Sequence, residues 1–298
     1  MDPAISPGKR LRQALLQERP LQIAGVINAY CALLAAHAGF RALYLSGAGV
    51  ANASRGLPDL GMTTLSDVVE DVRRITLASD LPLLVDADTG FGHRLMIERT
   101  VQELAAAGAA GMHIEDQAAA KRCGHRPGKQ LVSSADMVAR IEAAAGARSD
   151  PDFIIMARTD ALASEGLDGA LQRLQAYSAA GADMVFAEAF TSLEQYRIVS
   201  AALSVPLLAN ITEFGETPLF HVDELRAAGV ALVLYPLSAF RAMSAAAEQV
   251  YTTIRQQGSQ QAVVAGMQSR DELYAHLDYL AFERRLNREQ AGGEQGDE

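Results

Sequence analysis

The sequence has no apolar run near the roughly 18 residues that a membrane-crossing helix needs. Its opening stretch, Met1 to Arg12, has no apolar h-region, so neither a membrane anchor nor a secretory signal is expected. Cysteine is almost absent. Cys31 and Cys123 are too few for a disulfide framework, which fits a reducing cytoplasm. Positive charge is also scarce: 26 Lys and Arg stand against 36 Asp and Glu, for a formal net charge of −10. Nucleic acid is therefore not expected as the main partner, because phosphate contacts need clustered Lys and Arg. An anionic substrate would need its own local positive field, from a metal and from inward-pointing basic side chains.

Hydrophobic residues are plentiful at 49%, which excludes disorder over most of the chain. A length of 298 residues is ordinary for one α/β barrel. Short apolar segments alternate with longer amphipathic ones. The strands expected are Leu21–Ile27, Ala42–Gly47, Leu81–Asp88, Gly111–Asp116, Asp152–Asp160, Met184–Ala189, Pro206–Thr212 and Ala231–Pro236. Each is nearly continuous in apolar residues, as in a parallel sheet buried on both faces. Helical spacing follows them, as in Leu65-Val68-Val69-Val72-Ile75 and Leu167-Ala170-Leu171-Leu174-Tyr177. Ser133 or Ser134 and Thr191 or Ser192 are cap-type residues before helices. Gly39, Gly108, Gly181 and Gly229 each sit just past a helix, where glycine takes a left-handed C-cap. The fold expected is a (β/α)₈ TIM-type barrel, with an open doubly wound sheet as the weaker alternative.

No linker or internal repeat is visible. A single barrel domain is expected over residues 1–287, with Arg288 to Glu298 as a disordered tail marked by Gly292, Gly293 and Gly296. Helical residues from about Ser238 to Leu286 exceed what one closing helix needs and are expected to pack on a neighbouring subunit.

In such barrels the chemistry gathers at the C-terminal ends of the strands. Polar residues recur there: Ser46-Gly47, Asp86-Ala87-Asp88, Glu115-Asp116, Arg158-Thr159-Asp160, Glu188 and Asn210-Ile211-Thr212. One such residue is usually structural, but six strands ending this way read as a site. Asp86, Asp88 and Glu115 suit a hard cation such as Mg²⁺, which keeps several waters and needs only one or two protein ligands. Residues i and i+2 share a strand face, so Asp86 and Asp88 are expected on one side. After strand four comes Lys121-Arg122-Cys123-Gly124-His125-Arg126-Pro127. A lone cysteine is more often a small buried hydrophobe, as expected for Cys31. Cys123 differs, because its neighbours are cationic. An unperturbed cysteine, with a pKa of about 8.5, is mostly protonated near neutrality, so a thiol there can give a proton to a carbanion.

Lys121-Arg122-Cys123-Gly124-His125, with the strand-end residues, Glu213 and Tyr235-Pro236-Leu237-Ser238, resembles the isocitrate lyase and phosphoenolpyruvate mutase superfamily, in the lyase branch that cleaves 2-methylisocitrate. The likeness runs from about Ser6 to Leu286. It implies Mg²⁺-dependent C–C cleavage of a hydroxylated tricarboxylate to pyruvate and succinate, in the methylcitrate route of propionate breakdown. It implies Mg²⁺ at Asp86 and Asp88, with Asp59 and Glu115 acting through water. It implies substrate contacts from Ser46, Gly47, Ala48, Cys123, Gly124, Arg158, Glu188, Asn210, Ile211, Thr212, Arg241 and Arg270. Cys123 is then the proton donor, Tyr44 the base with its pKa lowered by metal and cations, and Lys121 and His125 their charged neighbours. Ala48 departs from the family pattern, where glycine is expected. Phe186 and Leu234 are candidates for the pocket that takes the substrate methyl. A cytoplasmic homotetramer with helices exchanged between paired barrels is also implied. An isocitrate lyase, a dimethylmalate-type lyase, an oxaloacetate decarboxylase, a phosphonate mutase or hydrolase and a non-catalytic binding barrel remain alternatives.

Overall fold

The structure, a computed structural model, describes residues 5–118 and 120–293. Its strands are β1 (Leu21–Gly25), β2 (Ala42–Leu45), β3 (Leu83–Asp86), β4 (Gly111–Glu115), β5 (Ile154–Thr159), β6 (Met184–Ala187), β7 (Leu207–Asn210) and β8 (Leu232–Tyr235). They pair in parallel in sequence order, and β8 pairs with β1, so the barrel closes. The helices are α1 (Pro7–Gln17), α2 (Ala29–His37), α3 (Gly47–Gly49), α4 (Leu65–Ala78), α5 (Arg94–Ala106), α6 (Ser134–Gly146), α7 (Leu162–Ala179), α8 (Leu193–Ala202), α9 (Val222–Ala227), α10 (Ser238–Gln257), α11 (Arg270–His276) and α12 (Tyr279–Gly293). Every expected strand is present and each is shorter than its apolar run, since pairing stops where the chain turns outward at the barrel rim. No helix among the described residues is long and apolar enough to cross a membrane.

The period of two along each strand sorts the side chains into two cores. Leu43, Val85, Met112, Ile114, Ile155, Val185, Ala209 and Val233 point outward and pack under the helices. Ile23, Tyr44, Leu84, Met156, Phe186, Leu208 and Leu234 point inward, together with Leu11, Ala14 and Leu15 of α1. Apolar contact on both faces explains why the strands read as continuous rather than alternating. β1 and β8 approach so closely that a Cβ on Gly25 would lie 1.8 Å from the Pro236 carbonyl oxygen.

Local signals are used as expected. Ser133 caps α6, and Ser192 caps α8 in a reciprocal pair with Gln195. The four helix-ending glycines all take positive φ, for example 93° at Gly39 and 81° at Gly229.

The chain divides into two compact units, Met1–Phe240 and Arg241–Glu298. The second unit holds α11, α12 and most of α10, and the rings of Tyr274 and Tyr279 stack at 4.2 Å. α10 buries none of its residues. α12 continues through Arg288 to Gly293, so helix enters the segment expected to be a disordered tail. The rest of that segment, 294–298, lies outside the described residues.

Candidate active site

The inward rows of the barrel change character towards the C-terminal strand ends. On β3, Leu84 is followed two residues later by Asp86, and on β4 His113 is followed by Glu115. On β5 Met156 is followed by Arg158 and then Asp160; on β6 Phe186 is followed by Glu188; on β7 Leu208 is followed by Asn210. Each strand therefore lifts a polar side chain onto the top of an apolar plug. All of these polar residues are buried.

Arg158 is the electrostatic centre. Its Nε and Nη2 reach Asp160 at 3.0 and 3.1 Å, its Nε lies 3.3 Å from Glu115 and its Nη2 lies 3.8 Å from Glu188. Its guanidinium also lies 5.0 Å from the centre of the Phe186 ring. Burial opposes charge on Glu188, but the Arg158 cation and the His125 hydrogen bond outweigh it and bring the pKa down to about 2. His125 Nε2 is 2.9 Å from Glu188, while the Glu216 backbone N–H donates to Nδ1 at 3.0 Å. A ring that accepts at Nδ1 carries its proton on Nε2, so neutral His125 donates to Glu188.

The opposite side of the mouth is acidic. Asp86 Oδ2 accepts from the Gly47 N–H at 3.0 Å, and Oδ1 accepts from the Asp88 N–H at 3.0 Å. Burial opposes its ionisation, but the charges of His113, Lys121 and Arg158 hold its pKa near 2. Asp88 is raised to about 7 by burial and by the Asp86 charge, even though Lys121 Nζ lies 2.6 Å away. Lys121 also pairs with Asp59. Glu115 is raised well above the usual carboxylate range, mainly by burial, and its Oε1 has no hydrogen-bond partner.

Asp88 and Glu115 are short of positive charge, which is the condition a divalent cation relieves. Among the described residues no group of three His, Cys, Asp or Glu converges as a ready ligand cage. Mg²⁺ does not require one, because it is held by one or two carboxylates with water completing the shell. Asp86 and Asp88, with the unpartnered Glu115 oxygen behind them, fit that demand.

Several expectations need correction. Asp88 does not share a strand face with Asp86. β3 ends at Asp86, and Asp88 returns to the mouth through a turn with φ 48°. The protein's own groups push the Tyr44 pKa well up rather than down, by burial first and the Asp86 charge second. Its hydroxyl lies 3.3 Å from Asp86 and 2.9 Å from His113 Nε2. The Ile211 side chain belongs to the outer core, so its side chain does not face the mouth. Asp116 and Thr159 also point outward. There Asp116 accepts from Thr159 at 2.6 Å and from Tyr177 at 2.9 Å, which makes both structural.

Several other expected residues of the first unit collect at the mouth. Ser46, Gly47, Asn210 and Thr212 are buried there, and Ala48 is half-buried at the start of the short α3. Arg241 and Arg270 lie in the second unit, on α10 and at the first residue of α11. Cys123 is exposed on its loop, but Gly124 beside it is buried deep. A Cβ on Gly124 would lie 2.3 Å from Arg158 Nη2 and 2.4 Å from Glu188 Oε1. The base of the loop is fastened by Gln117, which exchanges hydrogen bonds with the Arg122 backbone at 2.8 and 2.9 Å. Cys31 is buried on α2, as expected of a small hydrophobe.

Two residues escaped the sequence reading, and a third was given no role. His113 stacks on Tyr44, with ring centres 5.8 Å apart, and was visible as the residue two before Glu115. Asp160 was noted only as a strand-end residue, although two of its hydrogen bonds set the Arg158 fork. Lys129 pairs with Asp160 at 3.1 Å and gave no local sign of it.

Residues 11–255 match the phosphoenolpyruvate phosphomutase family. A 2-methylisocitrate lyase from Escherichia coli (strain K12) is 61% identical over 283 residues, covering 95% of this chain and 96% of the relative. Among solved structures, a 2,3-dimethylmalate lyase superposes with a TM-score of 0.87 at 35% identity, covering 99% of this chain and 98% of that one. A phosphonopyruvate hydrolase in complex with oxalate and Mg²⁺ gives 0.82 at 29% identity, covering 94% and 97%.

Proposed function

We propose that this chain, which belongs to the phosphoenolpyruvate phosphomutase family, is a Mg²⁺-dependent carbon–carbon lyase that cleaves 2-methylisocitrate to pyruvate and succinate. One observation carries the reading: a cysteine-bearing loop lies over the acidic and cationic strand ends, with Gly124 pressed between Arg158 and Glu188. Carboxylates alone would serve any reaction of this superfamily. A thiol beside them supplies an acid for a carbanion. The 61% identity to a 2-methylisocitrate lyase over nearly the whole chain supports the choice of substrate.

Asp86 and Asp88 would hold the ion, with Asp59 and Glu115 behind them. An ion held there would supply Lewis-acid polarisation of the substrate hydroxyl and its neighbouring carboxylate. Ser46, the Gly47–Ala48 backbone, Asn210, Thr212 and the Ile211 backbone orient the carboxylates, and Arg241 and Arg270 are proposed to join them. A base removes the hydroxyl proton. The electrons of the breaking C–C bond stay on the succinate fragment as an aci-carboxylate, while the other fragment becomes pyruvate. Arg158, Lys121 and His125 stabilise that added negative charge. The Cys123 thiol then gives its proton to the carbanion carbon, and the thiolate regains one from solvent when the loop opens. Tyr44 is the proposed base, deprotonated only when positive charge offsets Asp86 beside it. The proposed assembly is a cytoplasmic homotetramer with α10–α12 exchanged between paired barrels.

The test is a side-by-side assay with Mg²⁺ on 2-methylisocitrate and isocitrate, reading pyruvate and glyoxylate. A methyl group is worth about 1–3 kcal/mol of discrimination, so preference by roughly tenfold or more is expected. Preferred cleavage of isocitrate would overturn the substrate. Silence on both, with turnover of oxaloacetate or phosphonopyruvate, would overturn the lyase itself. Cys123→Ser should lose most turnover while still binding succinate and Mg²⁺ by calorimetry; near-full activity would remove Cys123 from the acid role.

A further inference from the structure

The Cys123 loop borders open space on one flank. A cavity of about 510 Å³ lies along its outer flank, lined by Arg126, Lys129, Asp160, Ser164, Thr191 and Glu216 among others. With that space beside it, the loop depends on polar ties. Lys121 anchors it to Asp59 and Asp88, and His125 anchors it to Glu188 and Glu216. A further tie has a different geometry. Lys129 is itself a loop residue, and its ammonium donates backward to the carbonyl of Gly124, the residue next to Cys123. The same ammonium lies 3.1 Å from Oδ1 of Asp160. That oxygen also accepts from Arg158 Nη2 at 3.1 Å, while the second Asp160 oxygen accepts from Arg158 Nε at 3.0 Å.

One fully buried carboxylate is thus shared by the guanidinium that faces the substrate and the ammonium that folds the loop upon itself. Asp160 is itself fixed by its backbone N–H, which donates to Asp116 at 3.0 Å.

We propose that Lys129 is a positioning residue, resting on the lyase reading above: it latches the Cys123–Gly124 peptide to Asp160, so that closing the loop and setting the Arg158 fork are one event. Its ammonium touches no reacting atom. It acts through the Gly124 carbonyl, which sets where the thiol stands over the mouth.

The experiment compares wild type, Lys129→Met and Lys129→Arg by amide hydrogen exchange over 120–131 without substrate, and by steady-state cleavage of 2-methylisocitrate with Mg²⁺. In Lys129→Met the loop amides should exchange about tenfold faster or more, the scale of losing hydrogen bonds to a charged group. Barrel amides and Tm should not move. The value of kcat should fall by a similar factor with KM changed less, and Lys129→Arg should recover a large part of both. Unchanged loop exchange in Lys129→Met would overturn the latch. Faster exchange with unchanged kcat would overturn the positioning role. A wild type that cleaves no 2-methylisocitrate, yet whose loop still loosens in Lys129→Met, would sink the lyase reading and leave the latch standing.

Discussion

A methyl group at residue 124 is the smallest change that separates packing from chemistry here. Gly124→Ala would drive its Cβ into Arg158 and Glu188, so the loop must lift or the fork must turn. We expect kcat to fall about a hundredfold, as for other small misplacements of reacting groups, with the barrel's circular dichroism and Tm unchanged. Near-wild-type kcat would mean that the loop does not seat here during turnover. Glu188 offers a second single-residue test, through pH. Its folded pKa of about 2 lies below the ordinary value near 4.5, so it contributes stability above pH 4.5 and loses it as pH falls from there towards 2. The shift corresponds to about 3 kcal/mol in order of magnitude. Glu188→Gln should therefore flatten the acid limb of stability between those two values in urea titrations; an unchanged limb would refute the assignment. The period of two explains which site residues were legible. Asp86, Arg158, Glu188 and Asn210 follow inward apolar residues at i−2, and Glu115 follows inward His113, which the same rule would have found. Asp88 was placed correctly near Asp86 for an incorrect reason, since a left-handed turn and not the strand returns it. Lys129 was unreadable, because its partner stands 31 positions away and only the folded loop joins them.

Among the elements, strands were the plainest in sequence, because burial on both faces leaves an apolar run that no amphipathic helix shows. Their ends were not, since hydrogen bonding stops before hydrophobicity does: β3 begins two residues after its run and ends two residues before it. Helix starts were readable from side chains that satisfy free backbone N–H groups. α4 has such a start in Thr64 and Asp67, which cap each other's backbone. Thr64→Ala should cost about 1 kcal/mol and lower Tm by about 2–4 °C, measured by calorimetry. No change in Tm would mean that the cap is made equally well by water. The kink at Gly166 inside α7, where φ is 70°, left no sign in the apolar spacing, because that spacing resumes at Leu167.

At the scale of the molecule, the chain carries net negative charge yet is proposed to capture a trianion, and the barrel mouth holds more carboxylates than cations. Mg²⁺ should accordingly stabilise the fold. With the ion at a hundred times its dissociation constant, about 2.7 kcal/mol is expected, read as a Tm increase that Asp86→Ala abolishes. An equal increase in Asp86→Ala would place the ion elsewhere. Barrel closure, β8 against β1, follows from the number of strands and their parallel order, and both were visible in the sequence. The substrate contacts proposed for Arg241 and Arg270 came from the family resemblance alone, since both residues lie in the second unit. Lys129, finally, travels with the loop it fastens. When the loop lifts, its ammonium enters water, and hydration returns most of what the buried pairing had contributed. Opening then costs less than the closed pairing alone would suggest, and contacts with the reactant tip the gate. A loop held down by apolar packing alone would detain its products as firmly as its substrate; a charged latch lets each catalytic cycle end.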